Sequence, residues 1–247
     1  MNATINMKAI AAQTKLELAM TLRRGESLLV TLAIPIGILV FFGKVNALTA
    51  VKGDPVTFLV PGVLSLAVMA SAMVSLGIAT GFERRYGVLK RLGSTPLSRG
   101  GLLAAKTINV LVIEIIQATA IIATGAALGW QLSSAIVPAI GLLLIGTVAF
   151  AGVGMFLAGT LRAEANLALA NALFLVLMFL GGMAYPLTKL PASVEAVARL
   201  LPAAALSECV RAVLGRHPFP VAAFVVLTVW AVAAPLAAAR WFKWEES

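Results

Sequence analysis

Charge is what this chain has least of. Asp, Glu, Lys and Arg together make 12% of its 247 residues, against 61% hydrophobic residues and a mean hydropathy of +1.01. A soluble domain carries about 25% charged residues, so this composition cannot cover a water-exposed surface of ordinary size. Cysteine and histidine are nearly missing as well. The single Cys209 excludes an internal disulfide and a cysteine metal cluster, which leaves an inert lone thiol as the expectation and no metal site. The single His217 argues in the same way against histidine metal sites and His-based catalytic triads. No GxxxxGK[ST] phosphate loop occurs, so any ATP used with this chain is hydrolysed by another one. No stretch alternates polar and apolar residues with a period of two, which argues against a membrane barrel and for helices. The opening run MNATINMKAIAAQTKLELAMTLRRGES has no short apolar core with a small-residue cleavage site, so no signal peptide is expected.

What is present is apolar length. A membrane-crossing helix needs roughly 17–25 mostly apolar residues. Six stretches qualify: Ser27–Gly43, Val56–Gly81, Thr107–Leu128, Ile136–Leu161, Leu167–Ala184 and Phe219–Ala239. Only the third contains a charged residue, Glu114. The second and fourth are 26 residues long, about 39 Å as helix, and are expected to tilt or to project from the lipid. The longest stretch between spans, Tyr185–Pro218, is 34 residues, too short for a soluble domain of ~50 residues or more. The expected fold is therefore an all-α membrane protein forming one domain over residues 1–247.

Charge then orients the chain. With a cytoplasmic N-terminus, thirteen Lys and Arg fall inside and six outside. Cytoplasmic loops hold the excess of these residues, so both termini are expected in the cytoplasm. Trp130, Trp241 and Trp244 stand at span ends, where interfacial belts place tryptophan. In a soluble protein the net charge of +9 would suggest nucleic acid; here it reads as a topology signal. High Ala and Arg usage points to a GC-rich bacterium, hence to a bacterial cell (inner) membrane.

Several segments say more than "membrane". Phe82–Gly100, FERRYGVLKRLGSTPLSRG, continues the second span as a basic helix with Tyr86, Leu89 and Leu92 at helical spacing. Arg84 and Arg91 face away from that stripe, Pro96 stops the helix, and Ser98 is placed to cap the next one. Two readings fit: a loop attracted to lipid headgroups, or a helix that docks in a partner's groove and transmits its movement. In Tyr185–Pro218, Pro186, Pro191 and Pro202 cut short pieces, one of which carries Val194, Val197, Leu200 and Leu201 on a single face with Glu195 and Arg199 apart from it. Met7–Leu22 places Met7, Ile10, Ala11, Leu18 and Leu22 on one face, as in a helix lying in the headgroup layer. Glu114 costs about 3 kcal/mol at mid-membrane on insertion scales. It therefore calls for water or for a partner such as Arg84, Arg85 or Arg162, with Gln117 on its own face one turn on. Both a structural role and a substrate or proton role are open to it. Gly77/Gly81, Gly125/Gly129 and Ser71/Ser75 are small pairs four apart that favour close helix packing within the chain.

Glu83, Arg84, Gly87, Leu89, Leu92, Thr95, Pro96, Leu97 and Ser98 together resemble the signature loop of the ABC type-2 transporter permeases, the membrane subunits of ATP-driven exporters. Where that family commonly has Glu-Arg-Glu, the third position here is Arg85. Two further runs are similar to the family's. One is Phe58 followed by Pro61–Gly62 at the head of the second span. The other is Gly181, Gly182, Tyr185 and Pro186, followed by Leu-Pro pairs at Leu190–Pro191 and Leu201–Pro202. The resemblance covers nearly the whole chain, with the elements in the same order. It implies six spans, an interfacial N-terminal helix, and short external helices that dip back over the translocation path. It also implies a cytoplasmic coupling helix, with Glu83, Arg84, Arg85, Gly87, Leu89, Lys90, Arg91, Leu92, Thr95 and Pro96 contacting a separate ATPase subunit that holds ATP and Mg. Gly181, Gly182, Tyr185, Pro186, Pro191 and Pro202 would belong to the external gate. The implied assembly is a homo- or heterodimer of permeases with membrane lipid, exporting an amphipathic drug, antibiotic or lipid-like compound. Export of a cell-envelope glycan or lipid is the alternative. From the residues alone, an ATP-independent carrier competes; it would usually carry more midplane polar groups than one carboxylate.

Overall fold

In the computed structural model, which describes residues 7–23, 25–44, 55–92, 99–131, 135–183 and 185–244, the second apolar run has become the hub of the molecule. It forms α3, Pro55–Arg85, a 31-residue helix of which 89% of the apolar window is buried. At ~1.5 Å per residue it is about 46 Å long, against a hydrocarbon core of about 30 Å, so one end projects. That end is the basic stretch Glu83–Arg85. Inside α3, Ala70–Ser75 is wound as a π-helix, and the Leu76 amide reaches back to the Ser71 carbonyl. Single π turns inside α-helices occur mostly at functional sites.

The other elements wrap this hub. In chain order they are α1 (Met7–Arg23), α2 (Gly25–Lys44), α3, α4 (Val88–Leu92), α5 (Arg99–Ala127), α6 (Ile136–Thr160), α7 (Ala163–Leu180), α8 (Ala192–Ala198), α9 (Pro202–Leu214) and α10 (Val221–Trp241). A 3₁₀ turn, Leu187–Lys189, precedes α8. No strand occurs among the described residues. Among the described residues, five helices are long and apolar enough to cross a bilayer: Pro55–Arg85, Ala104–Ala127, Ile136–Thr160, Ala163–Leu180 and Val221–Trp241. The chain is thus a multi-pass membrane protein. The first expected span falls in α2, which is 20 residues long; the part of it whose side chains are described, Leu32–Lys44, is apolar.

Small residues set the closest contacts. A Cβ on Gly152 of α6 would lie 2.5 Å from the Pro235 nitrogen of α10, and one on Gly154 would lie 2.5 Å from the Met73 carbonyl in the π segment. Lipid is as apolar as leucine, so helices associate in it by backbone approach and polar contacts rather than by expelling water. Gly77 packs against Gly154 and Gly81 against Asn166, so this small-residue pair packs within the chain.

The helix of the third span begins at Arg99, eight residues before the apolar run at Thr107, which takes Lys106 inside it; several faces differ from the sequence reading. Trp130 is buried, not at a lipid interface. A turn at Leu128–Gly129, with Gly129 at φ 97°, lets the Trp130 amide bond the Gly125 carbonyl and brings the ring back onto α5. In α1, Ile10 and Glu17 are buried, while Met7 and Leu22 from the expected apolar face are exposed together with Leu16 and Met20. Val197 and Leu200 are likewise exposed, while Ala198 between them is buried.

Candidate functional site

The polar side chains gather at three levels along α3. At its projecting end the helix stops because Tyr86 leaves helical geometry and Gly87 takes φ 70°, a left-handed conformation that glycine adopts at helix C-termini without steric cost. The Gly87 amide bonds the Arg84 carbonyl at 3.1 Å. α4 follows at once, so the expected single basic helix is two helices joined by a glycine turn. Leu89 is buried, while Arg85, Tyr86, Lys90 and Arg91 are exposed.

Glu83 and Arg84 point inward instead. The Lys106 ammonium, 3% exposed, lies 2.8 Å from a Glu83 carboxylate oxygen and 3.1 Å from Glu17 Oε1. α1 is fastened further by Asn109, which donates to the Thr21 hydroxyl at 3.3 Å. Arg84 is 5% exposed. It donates to the Leu161 carbonyl, in the turn between α6 and α7, and to the Lys243 carbonyl at 3.4 Å. Lys243 in turn donates its amide to the Gly159 carbonyl at 3.0 Å. Arg85 pairs with Glu164 at the start of α7. One turn of α3 is therefore bonded to α1, α5, the α6–α7 turn, α7 and the C-terminal segment. Thr95 and Pro96 lie outside the described residues, as does the Leu92 side chain.

Midway along, Glu114 and Gln117 share the inner face of α5. Glu114 is 9% exposed, and Thr147 Oγ1 on α6 lies 2.7 Å from its Oε2. Its partner is Thr147 rather than Arg84 or Arg85, which are spent at the end of α3, and among the described residues no ion pair joins it to Arg162. Gln117 accepts a 2.7 Å hydrogen bond from Ser71, the residue whose carbonyl closes the π turn. Glu114 Oε1 and Gln117 Nε2 are buried with no hydrogen-bond partner. Glu114 lines an open cleft of about 210 Å³ walled by Leu64, Val68, Ile115, Ile140 and Leu143.

At the other end of α3, two glycine-containing runs far apart in sequence meet. Gly62 lies so close to the turn after α7 that an added Cβ would sit 2.0 Å from the Met183 carbonyl. Arg211 of α9 clamps the two runs. Its guanidinium stands 3.9 Å from the centre of the Phe58 ring and donates to the Gly182 carbonyl at 2.7 Å and the Phe58 carbonyl at 3.4 Å. Burial, opposed by the charge of Glu208, lowers its proton affinity to a pKa of about 10. Ser207 donates to the Gly181 carbonyl, and Pro202 opens α9 at the first helical position, where its missing amide is not needed. Tyr185 and Pro191 are exposed, and Pro186 is half-buried. Arg199 holds Glu195 at 2.8 Å and Glu208 at 3.2 Å, which joins α8 to α9.

Sequence reasoning named Glu83, Arg84, Glu114, Gln117, Gly181 and Gly182 but missed Glu17, Lys106, Thr147 and Arg211. Lys106 carried a signal, a lysine one turn inside the start of an apolar helix. Thr147 carried none.

A multi-span helical bundle with polar groups in its apolar interior and a charged, jointed exit from its central helix is the build of a transporter's membrane subunit. The chain belongs to the ABC-2 type transporter family, whose model matches residues 8–214. Proteins of this family normally work with an ATPase subunit. The chain is also similar to YvfS of Bacillus subtilis (strain 168), named as a transport permease: 26% identical over 208 residues, 79% of this chain and 81% of that protein.

Proposed function

We propose that the chain is the membrane-spanning permease subunit of an exporter that moves an amphipathic substrate, a drug, antibiotic or lipid-like compound, with ATP and Mg held by a separate nucleotide-binding subunit. Two permease copies, the same or related, work in a bacterial cell membrane, each with six crossings and both termini in the cytoplasm. The observation that carries this reading is the bonding at the base of α3. A push on the exposed side of α4 is passed through Glu83–Lys106–Glu17 to α5 and α1, and through Arg84 and Arg85 to the α6–α7 turn and α7. Glu83, Arg84 and Arg85 transmit; Lys90 and Arg91 face the motor. At the far end, the segment from Gly181 to Leu214 closes the exit against Phe58 and Gly62.

The test is co-reconstitution with the cognate ATPase. The double change Lys90→Glu and Arg91→Glu leaves membrane insertion intact and abolishes ATP-dependent export. Crosslinks from α4 reach the ATPase. Full transport by the chain alone, or full export by the double variant, overturns the reading.

A further inference from the structure

The cleft at Glu114 is not explained by the packing around it. It lies between α3, α5 and α6, and Glu114 is the one polar residue among those that line it; the rest are Leu, Ile, Val and Ala. Its enclosed volume of about 210 Å³ is below the roughly 300–1,000 Å³ that encloses a drug-sized ligand, so a guest would lie partly in the cleft and partly in lipid. Ile115, Ile140 and Leu144 on its rim are exposed, as expected of side chains facing lipid. A buried carboxyl with one oxygen unpartnered, set in an apolar cleft that opens sideways, offers a compound dissolved in the membrane one charge and otherwise hydrocarbon.

Thr147 decides what that carboxyl can do. Its hydroxyl oxygen is 2.7 Å from Glu114 Oε2 and 3.0 Å from the Leu143 carbonyl. A hydroxyl has one hydrogen to donate and lone pairs to accept with. If the hydrogen goes to Leu143, the oxygen accepts from a protonated Glu114. If it turns to Glu114, it supports the carboxylate. The same geometry thus serves both states, with a rotation about one bond between them.

Nothing else nearby supplies a positive charge. Pro55–Gly81 of α3 and Ile136–Leu161 of α6 contain no charged residue. α2 carries charge only at its ends, as Glu26 and Lys44. On α5 the nearest charge is Lys106, eight residues or about 12 Å away and already held by Glu17 and Glu83. From α1, Glu17 faces Lys106 rather than Glu114. A lone carboxylate at this depth is costly, so Glu114 in its ionised form needs a cation brought from outside.

We propose that this cleft binds a lipophilic cation, taken up in exchange for the proton of Glu114. The balance is simple: the O–H bond of the carboxylic acid breaks, the proton leaves to solvent, and the carboxylate pairs with the cation while Thr147 turns its hydrogen from Leu143 to Glu114. No redox partner is needed. The site belongs to this chain alone and stands whether or not an ATPase drives export, so its failure and that of the exporter reading are seen in separate experiments.

The experiment is titration calorimetry of the full chain in phosphatidylcholine nanodiscs with tetraphenylphosphonium, with empty nanodiscs as background and two buffers of different ionisation enthalpy. One cation binds per chain and one proton is released. Tetraphenylborate, of the same shape and opposite charge, does not bind. Glu114→Gln weakens binding at least tenfold and abolishes proton release, and Glu114→Asp keeps both. Leu144→Trp, which leaves the carboxyl intact and crowds the rim, also weakens binding and covers the case in which Glu114→Gln does not fold. Unchanged affinity in Glu114→Gln or Leu144→Trp, binding without proton release, or equal binding of tetraphenylborate overturns the proposal.

Discussion

Replacing Lys106 with methionine removes one cation from between two carboxylates. The lysine and Glu17 side chains are 3% and 9% exposed and Glu83 is 20% exposed, so none of the three is well hydrated. Breaking a buried ion pair by deleting one partner costs about 3–5 kcal/mol, because a charge is left buried without compensation. For a chain of this size each kcal/mol moves the melting temperature by roughly 2–4 °C, so Lys106→Met lowers it by about 6–20 °C. The same arithmetic predicts rescue. Glu17→Met and Glu83→Met added to Lys106→Met turn the whole cluster apolar, and such replacement of a buried ion network is often neutral, so the triple variant melts near the wild type. Glu17→Gln alone leaves the Lys106–Glu83 contact in place and has the smaller effect. Thermal unfolding followed by size-exclusion chromatography in detergent reads all four proteins. A Lys106→Met melting point within about 2 °C of wild type, or a triple variant no better than the single one, refutes the reasoning.

Arg84→Glu sets a buried carboxylate against the Leu161 and Lys243 carbonyls, so it lowers folded yield as well as transport; unchanged membrane-extracted yield contradicts the burial of Arg84. Gly154→Ala puts a methyl 2.5 Å from the Met73 carbonyl, a backbone atom that cannot swing aside, and destabilises by about 1–3 kcal/mol; Gly62→Ala, at 2.0 Å from the Met183 carbonyl, does worse in the same melting assay. Cys209 is fully buried, and burial, assisted by the charge of Glu208, raises its thiol pKa from 9.0 to about 12. Since the thiolate is the reactive form, the folded protein resists maleimide at pH 7.5 and labels only when denatured; rapid labelling in native membranes refutes the packing of α9. Arg211→Ala leaves the Gly182 carbonyl without its donor and raises Cys209 labelling by loosening α9 from Phe58; unchanged labelling contradicts the clamp.

How much of this was legible in the sequence depended on the kind of interaction. Five of the six apolar runs became crossing-length helices, because the bilayer demands a length of hydrocarbon and internally satisfied backbone polar groups. Gly87 is legible for a local reason: it sits where a helix must stop. The inward turn of Arg84 was not legible, because a basic run at a helix end looks the same whether its members meet water, a partner or a carbonyl 77 residues on. The polar side of α1 was not legible either: hydrophobic periodicity marked an apolar face suited to the headgroup layer, but not that Glu17 and Thr21 on the other side reach α5.

By itself, then, the sequence determined that the chain is helical, that it lives in a membrane and that its resemblance runs to transporter permeases, since composition, run length and short motifs are local quantities. Only the tertiary structure decided which charges transmit and which face outward. It also decided that Glu114 has Thr147 rather than an arginine, and that Phe58, Gly62, Gly182 and Arg211 form one clamp. Those pairings depend on which helices cross and at what rotation, and that is set by backbone contacts such as Gly154 against Met73, which no single segment encodes.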